Sequence, residues 1–104
     1  MSQIKRYKLR NKWDLKHTFQ ELIMPKESKI IAIQAQSGEI RMWAECSAPP
    51  IEVGYITRQF LILYTGQYFE GDGDRYKYLA TCQIENAELG QSEQHIYEVI
   101  INNS

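Results

Sequence analysis

The sequence predicts an all-β domain, either a small sandwich or a small barrel of six to seven mostly antiparallel strands. Three observations support this fold class. Short segments alternate apolar and polar residues, turn-forming residues separate these segments, and none of them has a decisive helical spacing. With 104 residues, 43% of them hydrophobic, the chain is long enough to bury one core, so we expect a single domain over residues 1–104.

The amino-terminal third contains two predicted strands. The first covers Ile4 to Arg10, where the residues alternate in the manner of a short edge strand. Residues 12–24 fit two interpretations, because apolar residues recur there at helical spacing while Thr18 to Met24 alternates as a strand would. We favour the strand for the second part. Pro25 then begins a turn that ends at Ser28, since proline fixes φ and lacks an amide donor.

The central prediction is a β-hairpin over Ile30 to Cys46 with Ser37 and Gly38 as its loop. This register pairs Ile31 with Ala44 and separates an apolar face from a polar one, so a slip of one residue would expose the isoleucines. The predicted core face carries Ile31, Ile33, Ala35, Ile40, Met42 and Ala44. The predicted outer face carries Gln34, Gln36, Glu39, Arg41, Trp43 and Glu45.

The rest of the chain is predicted to form three strands separated by polar connections. Gly54 to Thr65 is apolar on both sides at its middle, which predicts a strand buried on two faces at the centre of the fold. The two prolines at positions 49 and 50 predict a loop before it. The remaining predictions are a loop over Gln67–Arg75, a strand over Lys77–Glu85, a connection over Asn86–Glu93 and a strand over His95–Ile101.

Composition places the protein among soluble proteins of the cytoplasm. No apolar run is long enough to span a bilayer, and the amino terminus lacks the apolar segment of a secretory signal. We therefore expect no membrane partner. Cys46 and Cys82 lie in strand-like runs without the spacing of a zinc site, so we interpret both as small core residues and expect no metal and no cofactor.

Positive charge is concentrated at the amino terminus. Residues 1–29 hold eight Lys and Arg against three acids, whereas the remaining residues hold four against ten. A basic edge strand often serves to prevent pairing with other chains. The alternative is contact with nucleic-acid phosphates, although the whole chain is mildly acidic. That alternative would use Lys5, Arg6, Lys8 and Arg10.

Motifs for catalysis or metal binding are lacking. The acidic residues Glu70, Asp72 and Asp74 do not complete a calcium loop, and the two histidines, His17 and His95, have no nucleophile motif beside them. Single scattered glycines form no phosphate-binding fingerprint. We therefore predict a protein that is not an enzyme.

Trp43 is the aromatic residue that suggests a binding surface. The predicted register places its indole beside Gln34 and Arg41, where it can stack on a base or on a partner's side chain. The alternative is that a second sheet covers this face. A homo-oligomer would also bury it.

Several motifs along the chain resemble a family of short proteins that bacteriophages and prophages encode. The matching residues are Met24-Pro25, Lys29-Ile30-Ile31, Gln34, Gln36, Gly38, Trp43-Ala44, Arg58, Phe60, Ile62, Thr65-Gly66 and Tyr78-Leu79-Ala80-Thr81. This family is known only as a domain of unknown function. The resemblance implies a phage accessory protein in the host cytoplasm.

Small phage proteins outside the structural and replication modules often block host defences, so the resemblance implies an anti-defence role by analogy. The expected partner is a bacterial defence protein or its small nucleotide signal. The expected contact residues are Gln34, Arg41, Trp43, Arg58, Thr65 and Gly66.

Overall fold

A computed structural model describes residues 2–10, 18–66, 75–86 and 90–100. Within these ranges the chain forms seven β-strands and one short helix, which confirms the all-β prediction. The elements are β1 (Gln3–Leu9), β2 (Thr18–Pro25), β3 (Lys29–Gln36), β4 (Glu39–Cys46), α1 (Pro50–Val53), β5 (Tyr55–Tyr64), β6 (Tyr76–Asn86) and β7 (Gly90–Val99). The four residues of α1 are far too few to cross a bilayer, and the described ranges hold no longer helix.

The described strands form two antiparallel sheets that pack as a sandwich. The first sheet has the order β1-β4-β3 and the second has the order β2-β5-β7-β6. Apolar side chains from both sheets meet in one core, and the backbone extends only 15 Å along its shortest axis, as expected for two layers about 10 Å apart. The core contains Leu9, Met24, Ile40, Met42, Ala44, Phe60, Ile62, Cys82, Ile84 and Ile96.

The central hairpin forms as predicted around its two-residue turn. Ser37 and Gly38 have φ values of 52° and 78°, and two positive φ angles are the mark of a type I′ turn, whose twist matches that of the flanking strands. Ala35 faces Ile40 across the ladder, and Ile33 faces Met42. The turn and the apolar pattern therefore agree on one register.

The predicted register fails at the far end of this hairpin. The ladder shifts between Ile30 and Ala32, so that Ile30 rather than Ile31 faces Ala44. Ile31 is the extra residue of a β-bulge, and its side chain is 46% exposed, whereas Ile30 packs on the core. Bulges are common in edge strands, and β3 is an edge strand. Two adjacent isoleucines satisfy either alternation, so the sequence pattern does not reveal the shift.

This bulge predicts opposite outcomes for two neighbouring alanine substitutions. Ile30→Ala should lower the free energy of unfolding by about 1–2 kcal/mol, because a partly buried side chain leaves the core. Ile31→Ala should change it by less than about 0.5 kcal/mol, because an exposed side chain is removed. Urea denaturation measures both values, and an equal or larger loss for Ile31→Ala would show that the bulge is misplaced.

The central position predicted for the most apolar strand is confirmed. β5 lies between β2 and β7, with Phe60 and Ile62 in the core and Leu61 and Leu63 buried on the opposite face. β2 confirms the strand interpretation for residues 18–24, while residues 12–17 lie outside the described ranges.

Two predicted connections differ from the structure. The polar connection over Asn86–Glu93 is wrong at its second end, because β7 begins at Gly90 and its first residues pair with β6. Hydrogen bonding along a ladder thus overrides the polar composition of this segment. Pro50 begins the helix α1, since proline is favoured in the first turn of a helix. Most of the acidic segment predicted as a loop, residues 67–74, lies outside the described ranges.

Both cysteines are buried and unpaired, which confirms their interpretation as small core residues. Burial raises the pKa of the Cys82 thiol, and the thiol group of Cys46 lies 2.9 Å from the carbonyl oxygen of Ala48. The raised pKa makes the buried Cys82 thiol a poor nucleophile.

Candidate functional site

The outer face of the first sheet brings the amino-terminal cations to Trp43. β4 is the middle strand of this sheet, and its outward residues are Glu39, Arg41, Trp43 and Glu45. In the ladder with β1, Arg6 is opposite Trp43 and Lys8 is opposite Arg41. We call this surface the basic–aromatic face and define it by Arg6, Lys8, Gln34, Arg41 and Trp43.

Carboxylates neutralise this face unevenly. Glu39 forms ion pairs with Lys8 at 2.8 Å and with Arg41 at 3.3 Å. The hydrogen bond from Lys8 is the main cause that lowers the pKa of Glu39 below its ordinary value. Among the described residues, no carboxylate lies within ion-pair distance of Arg6. The exposed Arg6 thus lies opposite the partly exposed indole of Trp43 without a carboxylate in the described ranges to neutralise its charge.

The other cations of the predicted basic strand lie elsewhere. Lys5 is opposite Ala44, so it lies on the other side of β1 from Arg6 and Lys8. Arg10 follows β1, where its backbone amide and carbonyl both bond to the side chain of Gln20. Of the four predicted cations, Arg6 and Lys8 thus belong to the basic–aromatic face, and Lys5 and Arg10 do not.

A cleft opens where the edge strands β3 and β6 face each other at one end of the sandwich. Its first lobe has a volume of about 500 Å³ and is lined by two bulges, one at Ile31 and one at Leu79. A second lobe of about 540 Å³ adjoins it, and both lobes include Arg58, Lys77 and Glu98. We call these two lobes together the end cleft. Bulges are frequent beside binding sites because they redirect side chains.

Arg58 and Glu98 form a bidentate ion pair where the two lobes meet. The Nε and Nη2 atoms of Arg58 donate to the carboxylate of Glu98 at 2.6 and 2.7 Å, and Nη1 donates to the carbonyl oxygen of Ser28 at 2.7 Å. These side chains are 20% and 15% exposed. Arginine has five N–H donors, so the guanidinium retains donors that can contact a ligand.

Thr65 belongs to a chain of hydrogen bonds on the outer face of the second sheet. It lies 2.6 Å from a carboxylate oxygen of Glu93 and 2.8 Å from Nε2 of His95. Nδ1 of His95 lies 2.9 Å from Thr81, which is 2.6 Å from the hydroxyl of Tyr78. Tyr78 and Thr81 share one face although they are three residues apart, because the bulge at Leu79 lies between them.

The carboxylate of Glu93 sets the direction of this chain. A carboxylate only accepts, so the hydroxyl of Thr65 donates to Glu93 and accepts from Nε2–H of His95. In the neutral imidazole Nδ1 accepts from Thr81, which in turn accepts from Tyr78, whereas in the imidazolium Nδ1–H donates to Thr81. Each of these groups bonds to a neighbour within this chain of hydrogen bonds, so Thr65 serves to hold strands together. Gly66 follows with a φ of 93° and turns the backbone away.

Within the described ranges, no group of three or more His, Cys, Asp and Glu residues is arranged to hold a metal ion. The acidic residues Glu70, Asp72 and Asp74 lie outside those ranges.

Comparison with protein families finds one match. The model of a domain of unknown function, DUF7352, covers residues 1–103. The chain belongs to the DUF7352 family. Comparison with the curated proteins and with the solved structures finds no match.

The contact residues predicted for this DUF7352 chain lie in three separate places. Gln34, Arg41 and Trp43 share the basic–aromatic face, while Arg58 lies in the end cleft. Thr65 and Gly66 lie at the end of β5, where Thr65 joins the chain of hydrogen bonds through His95.

Sequence reasoning missed Lys77 and Glu98, which are far apart in sequence and face each other only through the pairing of β6 with β7. One signal pointed towards the end cleft. Lys29, Arg58 and Tyr78, which belong to the motifs of the family resemblance, all line its first lobe.

Proposed function

We propose that this DUF7352 protein binds a nucleotide signal of a bacterial defence system in the end cleft and thereby withholds it from its receptor. It acts without catalysis, as a phage-encoded inhibitor in the cytoplasm of the infected cell. The observation that carries the proposal is a concave site that combines cations with apolar walls. Small-molecule sites have volumes of about 300–1,000 Å³ and this combination of surfaces.

Charge in the first lobe favours a phosphate. Lys29, Arg58 and Lys77 line it together with a single carboxylate, that of Glu98. Glu98 is occupied by Arg58, so the exposed Lys77 supplies positive charge beyond that ion pair, whereas Lys29 lies opposite Glu45 in the ladder of β3 with β4. Charge-assisted hydrogen bonds from lysine and arginine are the usual means by which proteins hold phosphates.

Apolar walls beside these cations suit a base. Ile31 projects from the bulge in β3 with 46% of its side chain exposed, and Leu79 lines the opposite wall from the bulge in β6. A nucleobase is flat and largely apolar on its faces, so it gains from contact with such side chains. A nucleotide therefore matches both the charged and the apolar parts of this lobe.

The phage setting and the anti-defence role rest on the resemblance to short phage and prophage proteins. The cations and apolar walls of the cleft are compatible with that role, because nucleotide signals are small anions that a binding protein can remove from solution without reaction.

Calorimetric titration with nucleoside monophosphates and triphosphates tests the binding step. Lys77→Gln should weaken binding about tenfold, since one charged hydrogen bond contributes about 1.5 kcal/mol. Lys5→Gln is the matched control, because Lys5 is an exposed lysine on the opposite sheet and should leave affinity unchanged. Absence of nucleotide binding, or equal losses in both variants, would contradict the proposal.

A plaque assay tests the anti-defence step. Expression of the wild-type protein in bacteria that carry a nucleotide-signalling defence should restore phage plating, and expression of the Lys77→Gln variant should restore less. Full restoration by a variant that has lost nucleotide binding would instead assign the inhibition to contact with a defence protein.

Single-stranded nucleic acid on the basic–aromatic face is the second candidate function. The observation that favours it is the register that sets Arg6 opposite Trp43 and Lys8 opposite Arg41. Proteins that bind single strands combine a basic track for the backbone with aromatic rings on which bases stack. A flat, open sheet face suits an extended strand better than a small ligand.

Glu39 gives this second function a specific test. Glu39→Gln should strengthen binding of a short oligothymidylate about threefold, because Lys8 and Arg41 lose the carboxylate that occupies them. Trp43→Ala should weaken binding about tenfold through loss of stacking. Fluorescence anisotropy at two salt concentrations measures both, and binding that is insensitive to salt and to these substitutions would exclude the face.

A further inference from the structure

We infer that the end cleft is a single site for two linked nucleotides, a dinucleotide whose bridging phosphate lies between the lobes. This inference rests on the proposed function and names the class of nucleotide that the cleft takes. It follows from how the two lobes are joined and from what lines each of them.

The two lobes share their charged centre and differ in their walls. Arg58, Lys77 and Glu98 line both lobes. The first lobe adds the bulged residues of the edge strands β3 and β6, and the second adds apolar residues at the ends of β5 and β7. The volumes of about 500 and 540 Å³ are nearly equal. A ligand that fills both lobes would thus have two similar bulky ends and a negatively charged middle.

Each lobe offers a contact surface for one base. Ile31 lines the first lobe and is 46% exposed, while Ile56 and Ile100 line the second and are 46% and 45% exposed. Apolar side chains exposed to this extent in both lobes leave two surfaces that a flat ring can cover. The second lobe also includes Glu27, whose carboxylate can accept a hydrogen bond from the amino group of a base.

The shared centre argues against two independent mononucleotides. Two separate ligands would bring two phosphate groups to the same pair of cations, Arg58 and Lys77, and like charges in proximity repel. A dinucleotide uses those cations once, through its bridging phosphodiester. Linking two binding units also makes the second contact intramolecular, which raises affinity without new contacts.

Calorimetric titration of the whole chain tests this inference with the homodinucleotides ApA, CpC, GpG and UpU and the matching 5′-monophosphates, since each probe carries one phosphate. At least one dinucleotide should bind with one molecule per protein and about 100-fold more tightly than its monophosphate. Ile31→Asp in the first lobe and Ile100→Asp in the second should each remove most of that gain. Both positions are exposed, so the fold should tolerate the changes.

Ile4→Asp is the matched control, because Ile4 is 56% exposed on the first strand and does not line either lobe. Equal affinity for a dinucleotide and its monophosphate would overturn the inference and leave the proposed function standing. Two monophosphates bound per protein without any gain for the dinucleotide would overturn it in the same way. If neither these probes nor the nucleoside triphosphates bind, both the inference and the proposed function fail, and if only triphosphates bind, the inference alone fails.

Discussion

Replacing Arg58 with methionine is expected to lower the free energy of unfolding by about 3 kcal/mol. The bidentate ion pair of Arg58 and Glu98 is mostly shielded from water, with side chains 20% and 15% exposed. Removal of the cation leaves the carboxylate of Glu98 mostly shielded from water without its bidentate partner, and it also removes a hydrogen bond from the carbonyl oxygen of Ser28. Thermal or urea denaturation with a circular-dichroism signal measures the loss.

Two further variants separate this ion pair from ordinary surface charge. Arg41→Met should cost less than about 1 kcal/mol, because the pair of Arg41 with Glu39 is more exposed and less well aligned. The double variant Arg58→Met with Glu98→Leu should recover most of the stability, since no charge is then left unpaired. A double variant as unstable as Arg58→Met alone would assign the loss to packing.

The variants Gln20→Met and Gln94→Met are expected to change stability in opposite directions. Gln20 is 3% exposed, and its amide accepts from the backbone N–H of Arg10 at 2.8 Å and donates to the carbonyl of the same residue at 2.9 Å. Methionine has a similar volume but cannot replace these bonds, so Gln20→Met should cost about 2–3 kcal/mol. It would also release the end of β1 in the first sheet from β2 in the second.

Gln94 is equally buried but poorly bonded. Its amide nitrogen lies 3.5 Å from Ser92, and no protein group in the described ranges bonds to its Oε1 atom. An apolar side chain of similar size avoids the cost of a buried polar group, so Gln94→Met should stabilise the protein by about 1 kcal/mol. Urea midpoints of the two variants give the comparison, and a loss in Gln94→Met as large as in Gln20→Met would reveal a bonding partner for Gln94.

The strands could be predicted because short-range patterns determine them. Ser37-Gly38 specifies a tight turn, and the alternation around it fixes which side chains enter the core. The apolar middle of β5 predicts its central position for the same reason. The bulge at Ile31 could not be predicted, because the adjacent Ile30 satisfies the same apolar pattern.

The candidate sites depend on contacts that the sequence pattern does not encode. Pairing of β1 with β4 brings Arg6 to Trp43, but the hairpin alone gives no information about its third strand. The end cleft depends on two edge strands from different sheets, and Arg58 meets Glu98 across 40 positions of the chain. The local alternation of apolar and polar residues does not determine which strands, distant in sequence, lie next to each other.

The most direct test of nucleotide binding in the end cleft is a two-dimensional amide NMR titration with the tightest-binding nucleotide. We predict shift changes confined to residues around the two lobes of the end cleft, at Glu27, Lys29 to Ile33, Ile56 to Gln59, Lys77 to Leu79 and Glu98 to Ile100. Changes confined to Arg6, Lys8, Arg41 and Trp43 would place the ligand on the basic–aromatic face and contradict the account.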